Sequence, residues 1–178
     1  MNLLDEKCIN ELRAYMRCPT QNCTELWQKI DAFARSAFAL KHCDVTADLA
    51  NGKLAFRFDE HDQSALSVPG QAGMNYWVWH AFISSRGPLI SCRTFKVDRV
   101  VLGEEVLGGT HYSPELPPRP PAVEWTRQLA AEFDLCYVDA SALRDWEVSY
   151  DDVDPQFQYA LQHDSDSPSA FQVLFLEY

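Results

Sequence analysis

The chain has 178 residues, 47% hydrophobic and 12% aromatic, with 26 Asp and Glu against 15 Lys and Arg for a formal net charge of −11. That much apolar surface suits one folded domain and excludes a disordered chain. The negative charge works against nucleic acid and anionic membrane as partners, since both are held through Lys and Arg.

In chain order, Leu4, Cys8, Leu12 and Tyr15 recur at helical spacing ahead of Pro19. Asn22 and Glu25 have the spacing of a capping box, and Leu26, Ile30, Phe33, Ala37 and Phe38 form one apolar stripe behind them. The period then changes to two. Asn51-Gly52 suits a type I′ turn, and pairing across it sets Leu49 opposite Leu54, Ala47 opposite Phe56 and Val45 opposite Phe58. MNYWVWHAFIS reads as a central strand with aromatic residues on both faces. Arg86-Gly87-Pro88 reads as a turn, and LISCRTFKVDRVVL as one further strand or two.

The region from Gly103 to Gly109 predicts a turn or short hairpin, and the proline-rich stretch 113–121 an extended crossover. Pro120 or Pro121 opens a helix on which Trp125, Leu129, Ala130 and Phe133 share a face. LCYVDAS predicts a short strand, Asp154-Pro155 the start of a helix over PQFQYALQH, and AFQVLFLEY a final strand. Strands and helices are segregated. The expectation is a single α+β domain over 1–178, with a mainly antiparallel sheet, two N-terminal helices and one or two C-terminal helices.

The amino terminus MNLLDEKCINELRAYM carries acidic residues where a secretory leader is basic, and no segment is long and apolar enough for a bilayer. A cytoplasmic protein is therefore expected, with its six cysteines reduced. Cys18, Cys23, His42 and Cys43 miss the paired spacing of a zinc site. Asp151, Asp152 and Asp154 lack the glycine turn and downstream bidentate Glu of a calcium loop. No metal or other cofactor is expected. G-x-S-x-G is absent, and Gly108-Gly109 is too short for a phosphate loop. Pro114, Pro117 and Arg119 satisfy P-x-x-P-x-R, a polyproline ligand pattern that helix entry and a stiff connection explain equally well.

The charge is unevenly placed. Residues up to Val100 hold 12 Lys/Arg and 11 Asp/Glu, whereas those from Val101 hold 3 and 15. Between Asp139 and Asp166 there are eight carboxylates and one arginine, interleaved with Trp146, Tyr150, Phe157 and Tyr159. Carboxylates steer a basic partner and aromatic anchors supply binding energy. The expected partner-binding residues are Asp145, Trp146, Glu147, Tyr150, Asp151, Asp152, Asp154, Asp164 and Asp166.

In size, acidity and α+β organisation the chain resembles the small immunity proteins that bacteria pair with secreted or contact-delivered toxins. The resemblance implies a non-catalytic protein that covers or flanks the active site of one basic toxin domain, commonly a nuclease. It carries over no functional residues. Two alternatives stand beside it. One is an enzyme whose site is assembled from scattered residues such as His80, His111, Arg93 and late carboxylates. The other is a plain interaction adaptor.

Overall fold

In the computed structural model the described residues are 5–38, 53–62, 71–102, 105–115, 118, 120–155 and 168–175. The first helix, α1 (Glu6–Met16), starts where the Asp5 carboxylate accepts the Cys8 backbone N–H at 2.7 Å. It buries Leu12 and Met16 and ends before Pro19, with the Cys18 N–H donating to the Tyr15 carbonyl. The second, α2 (Thr24–Ala37), buries Trp27, Ile30 and Ala34. Its N-cap is Cys23. Asn22 helps by accepting the Thr24 N–H at 3.1 Å, so the expected capping box is reduced to one bond.

Four long strands follow as an antiparallel meander: β1 (Lys53–Asp62), β2 (Gln71–Ile83), β3 (Leu89–Leu102) and β4 (Glu105–Glu115), in sheet order β1-β2-β3-β4. The aromatic strand is central, as its two-sided pattern requires, and LISCRTFKVDRVVL is one strand. The first strand and turn of the expected Asn51-Gly52 hairpin lie outside the described residues; its second strand is β1, paired to β2 with Phe56 opposite Trp79.

The proline-rich crossover begins later than expected. Residues 113–115 belong to β4, where Pro114 sits opposite Phe95 on an outer strand that tolerates a missing N–H. Helix α3 (Pro120–Glu132) then leads to β5 (Cys136–Tyr137), which lies parallel to the start of β3 through Leu89 and Ile90. α4 (Ala140–Arg144), a 3-10 turn (Tyr150–Asp152) and α5 (Ala170–Phe175) complete the described chain. Pro155 is helical as expected, and the rest of PQFQYALQH, expected as a helix, lies outside the described residues.

The final strand is a correction: 170–175 is a helix. Ser169 and Gln172 make a reciprocal cap, the Ser169 Oγ accepting the Gln172 N–H at 3.3 Å and the Gln172 Oε1 accepting the Ser169 N–H at 2.8 Å. Ala170, Phe171, Val173, Leu174 and Phe175 are all buried. A helix apolar all round has no period-two or period-3.6 stripe, so its pattern imitates an inner strand.

Near Trp79 the sheet is the middle of three layers. Trp79, Ala81, Ile83, Ile90 and Cys92 pack with Trp27, Ile30 and Ala34 of α2 and with Ala122, Leu129 and Ala130 of α3. Phe82 and Leu89 pack with Leu12 and Met16 of α1, Ala140 and Leu143 of α4, and the apolar residues of α5. The α+β class expected from the sequence holds. No helix among the described residues is long and apolar enough to cross a membrane.

Candidate functional site

The acidic segment runs from the cap of α4 to Asp154. Asp139 starts it as a cap, accepting the Ser141 backbone N–H at 2.8 Å and the Ser141 hydroxyl at 2.7 Å. Arg144 and Asp145 form a surface pair at 3.0 Å, their side chains 50% and 73% exposed, which adds little stability.

Residues 146–148 are then stitched to the start of α5. The Val148 N–H donates to the Pro168 carbonyl at 3.0 Å, the Ala170 N–H donates to the Trp146 carbonyl at 2.8 Å, and Glu147 bridges Ser169. Val148 is buried, while Glu147 and Ser149 on either side are exposed. Next comes the 3-10 turn, closed by the Asp152 N–H on the Ser149 carbonyl at 2.9 Å. It carries the backbone of Tyr150 and leaves Asp151 exposed.

Three of the expected partner-binding residues also make contacts within the chain. Trp146 is half-buried against the core, with the Arg13 guanidinium 5.9 Å from its ring centroid. Asp152 is paired with Arg17 at the end of α1. Asp154 is only 9% exposed. Its backbone N–H donates to the Met16 carbonyl at 3.2 Å, and its carboxylate lies 3.5 Å from Arg86 Nη1. Arg86, 3% exposed, also donates to the Cys18 carbonyl.

A chain stretch with almost no regular structure has to be tied down by specific polar contacts, because it lacks a ladder to satisfy its backbone. The early arginines do this. The charge imbalance between the two halves of the sequence is thus partly an internal complementarity, with Arg13, Arg17 and Arg86 reaching the late segment. Sequence spacing could not reveal these partners, which lie 135 residues apart for Arg17 and Asp152 and 68 for Arg86 and Asp154. The arginine surplus before Val100 was the available signal. Asp145, Glu147 and Asp151 remain as exposed carboxylates; Asp164 and Asp166 lie outside the described residues.

The alternative catalytic set is brought together only in part. His80 and Arg93 are direct cross-strand partners on β2 and β3. The His80 ring lies 4.7 Å from Phe95, and the Arg93 guanidinium lies 3.7 Å from the Phe171 ring centroid. Burial, with Arg144 nearby, pushes the Arg93 pKa below its ordinary value. His111 is elsewhere. It pairs with Asp98, five residues along β3 from Arg93, about 17 Å at the rise of a strand and on the opposite face.

The thiols are free at Cys8, Cys18, Cys92 and Cys136, and Cys43 lies outside the described residues. Cys18 Sγ faces the Ala14 carbonyl at 3.3 Å and Cys23 Sγ the Ser84 carbonyl at 4.0 Å, so each follows its own helix end. Burial pushes the Cys92 thiol and the Tyr137 phenol above their usual pKa ranges, which suits packing and disfavours a thiolate nucleophile at Cys92. Among the described side chains no group of three His, Cys, Asp or Glu converges as a metal site.

No protein-family model, no curated protein and no solved structure matches the chain.

Proposed function

We propose that this protein is a non-catalytic, cytoplasmic binder of a basic protein surface, acting as an immunity protein does when it covers or flanks the active site of a toxin domain. The observation that carries the reading is the mounting of Asp145, Glu147 and Asp151: three exposed carboxylates within seven residues, on a loop pinned to the core at both ends. A loop held in this way loses little conformational freedom on docking, so less of the interaction energy is consumed in ordering it. Exposed like charges in one place accelerate encounter with an oppositely charged partner.

The test is direct. The reading frame beside this one is expected to encode a basic toxin domain, and the two purified proteins should associate in a one-to-one complex that abolishes the toxin's activity. Association should slow steeply as salt rises, and reversal of Asp145, Glu147 and Asp151 to Lys should slow it further at low salt. An association rate indifferent to both salt and the triple reversal would remove the acidic loop from the interface.

A further inference from the structure

Arg93 lies on the face of β3 that α4 and α5 cover, half-buried, with its guanidinium 3.7 Å from the Phe171 ring centroid. Stacking of this kind uses the flat face of a guanidinium and leaves the N–H groups around its edge to bond elsewhere. Among the described residues no carboxylate pairs with that edge and no acceptor takes a hydrogen bond from it. Nor is the edge sealed from solvent. The fully buried side-chain nitrogen without a partner among the described residues is Trp27 Nε1, on the other face of the sheet.

A half-buried charge without a counter-ion is costly, and folded proteins pair or hydrogen-bond such groups. Here the charged neighbour is a second cation. Arg144 ends α4, which packs beside α5 and over β3. Burial first, and then the charge of Arg144, lower the Arg93 pKa. Arg144 is 50% exposed and gives only its Nε to Asp145, at 3.0 Å. Its Nη groups have no acceptor among the described residues. One guanidinium thus stands below the surface and the other at the rim, two like charges brought together by separate elements.

The walls are aromatic. His80, directly opposite Arg93 on β2, lies 4.7 Å from the Phe95 ring and 5.9 Å from Phe82, and Phe82 lies 5.1 Å from Phe171. Rings on this side hold down the local dielectric, so a contact between charges at Arg93 is stronger than the same contact in water. The net charge of −11 opposes an anion mainly at long range, and screening beyond about 8 Å leaves close contacts to decide.

We propose that Arg93, stacked on Phe171, and Arg144, at the end of α4, form a binding site for one phosphate group of a small phosphorylated ligand. Guanidinium groups meet phosphate oxygens through paired, parallel N–H donors. A phosphate monoester carries about −1.5 to −2 charges at neutral pH and so answers both arginines, whereas a carboxylate answers one. The competing arrangement is structural: Arg93 packed on Phe171 as a support, with Arg144 held by Asp145 alone. Phosphate binding here requires nothing of the acidic loop as a docking face. In the sequence Arg93 reads as a catalytic candidate to be joined by late carboxylates; the fold brings it a late arginine instead.

Titration calorimetry on the full chain with sodium phosphate, at neutral pH and with ionic strength held constant by sodium chloride, tests the proposal. The expected result is a saturable isotherm with one phosphate per chain. Arg93→Lys keeps the charge but loses the forked donors, and should weaken binding about tenfold or more; Arg144→Gln should do the same. Arg127→Gln, at an arginine of α3 set over Tyr137, removes the same charge elsewhere and should bind as the parent does. Sodium acetate in place of phosphate should bind about tenfold more weakly or less. Absence of phosphate binding overturns the site in favour of the packed arrangement. Affinity retained in either Arg93→Lys or Arg144→Gln, or lost equally in Arg127→Gln, overturns it too. Acetate binding as tight as phosphate rejects the phosphate assignment. If Arg93→Lys does not fold, as circular dichroism reports, Arg144→Gln and Arg144→Glu decide, since Arg144 is half in solvent: unchanged affinity in both rejects the site.

Discussion

The two faces of the sheet are covered by different means. On one, α2 and α3, of 14 and 13 residues, lay continuous apolar stripes over Trp79, Ala81 and Ile90. Two of its buried polar groups are paired, Trp79 Nε1 donating to Thr126 Oγ1 at 3.1 Å and Thr126 to the Ala122 carbonyl at 2.7 Å, while the buried Trp27 Nε1 has no hydrogen-bond partner among the described residues. The other face is closed by α1, by helices of five and six residues, and by the acidic loop. Helices that short have little stability of their own. They hold because Arg86 ties the 84–88 turn to the end of α1 and to Asp154, and because 146–148 is stitched to 168–170. The first face is held by area, the second by a few connections.

That contrast is broken most directly at Arg86. Arg86→Ala removes the guanidinium from a buried carboxylate and from the Cys18 carbonyl, and should cost about 3–5 kcal/mol in urea unfolding, the range for removing one partner of a buried pair. Gly87 comes next. A Cβ there would lie 2.5 Å from Tyr15 Cδ1, so Gly87→Ala forces the ring off its seat at the cost of overpacking, roughly 1–3 kcal/mol. In a Tyr15→Ala background the same change should be close to neutral, and a persisting penalty would place its cause in the backbone. On the helix-covered face, Thr126→Val leaves the Trp79 N–H without its acceptor, for about 1–3 kcal/mol. If Thr126→Val costs more than Arg86→Ala, the two faces are not held in the different ways described.

The same contrast explains what could be read from the sequence. Ile30, Phe33, Trp125 and Leu129 announce their helices because each packs one stripe against the sheet, and the aromatic residues on both faces of MNYWVWHAFIS announce a central strand. The connections of the second face carry no periodic signal. Asp152 looks solvated in a charged run and Asp154 looks like a helix cap, yet their partners come from the far side of the chain. Trp146 reads as an anchor for the same reason: Arg13, its neighbour in space, is more than a hundred positions away. The α5 error was avoidable, since S-A-F-Q at 169–172 is a capping-box sequence. Ser169→Ala removes that cap and should cost about 1 kcal/mol, read as a small loss of helical circular dichroism with a lower melting temperature.

The smallest expected effect on stability is the one that bears on function. Asp145, Glu147 and Asp151 are exposed, and the Arg144–Asp145 ion pair is largely in solvent. Neutralising all three, as Asp145→Asn, Glu147→Gln and Asp151→Asn, should shift the unfolding free energy by no more than about 0.5 kcal/mol. Association with a basic partner should nonetheless slow, by about tenfold at low salt, and its salt dependence should flatten, since the exposed charges that steer encounter are gone. A matched control comes from the opposite face: Glu25, Glu124 and Glu132 on α2 and α3 are equally exposed. Changing those three to Gln removes the same net charge without touching the loop. Equal slowing in both triples would mean that net charge alone governs encounter and that the loop is no docking face. A large loss of stability in the loop triple would mean that its carboxylates belong, like Asp154, to the connections of the second face.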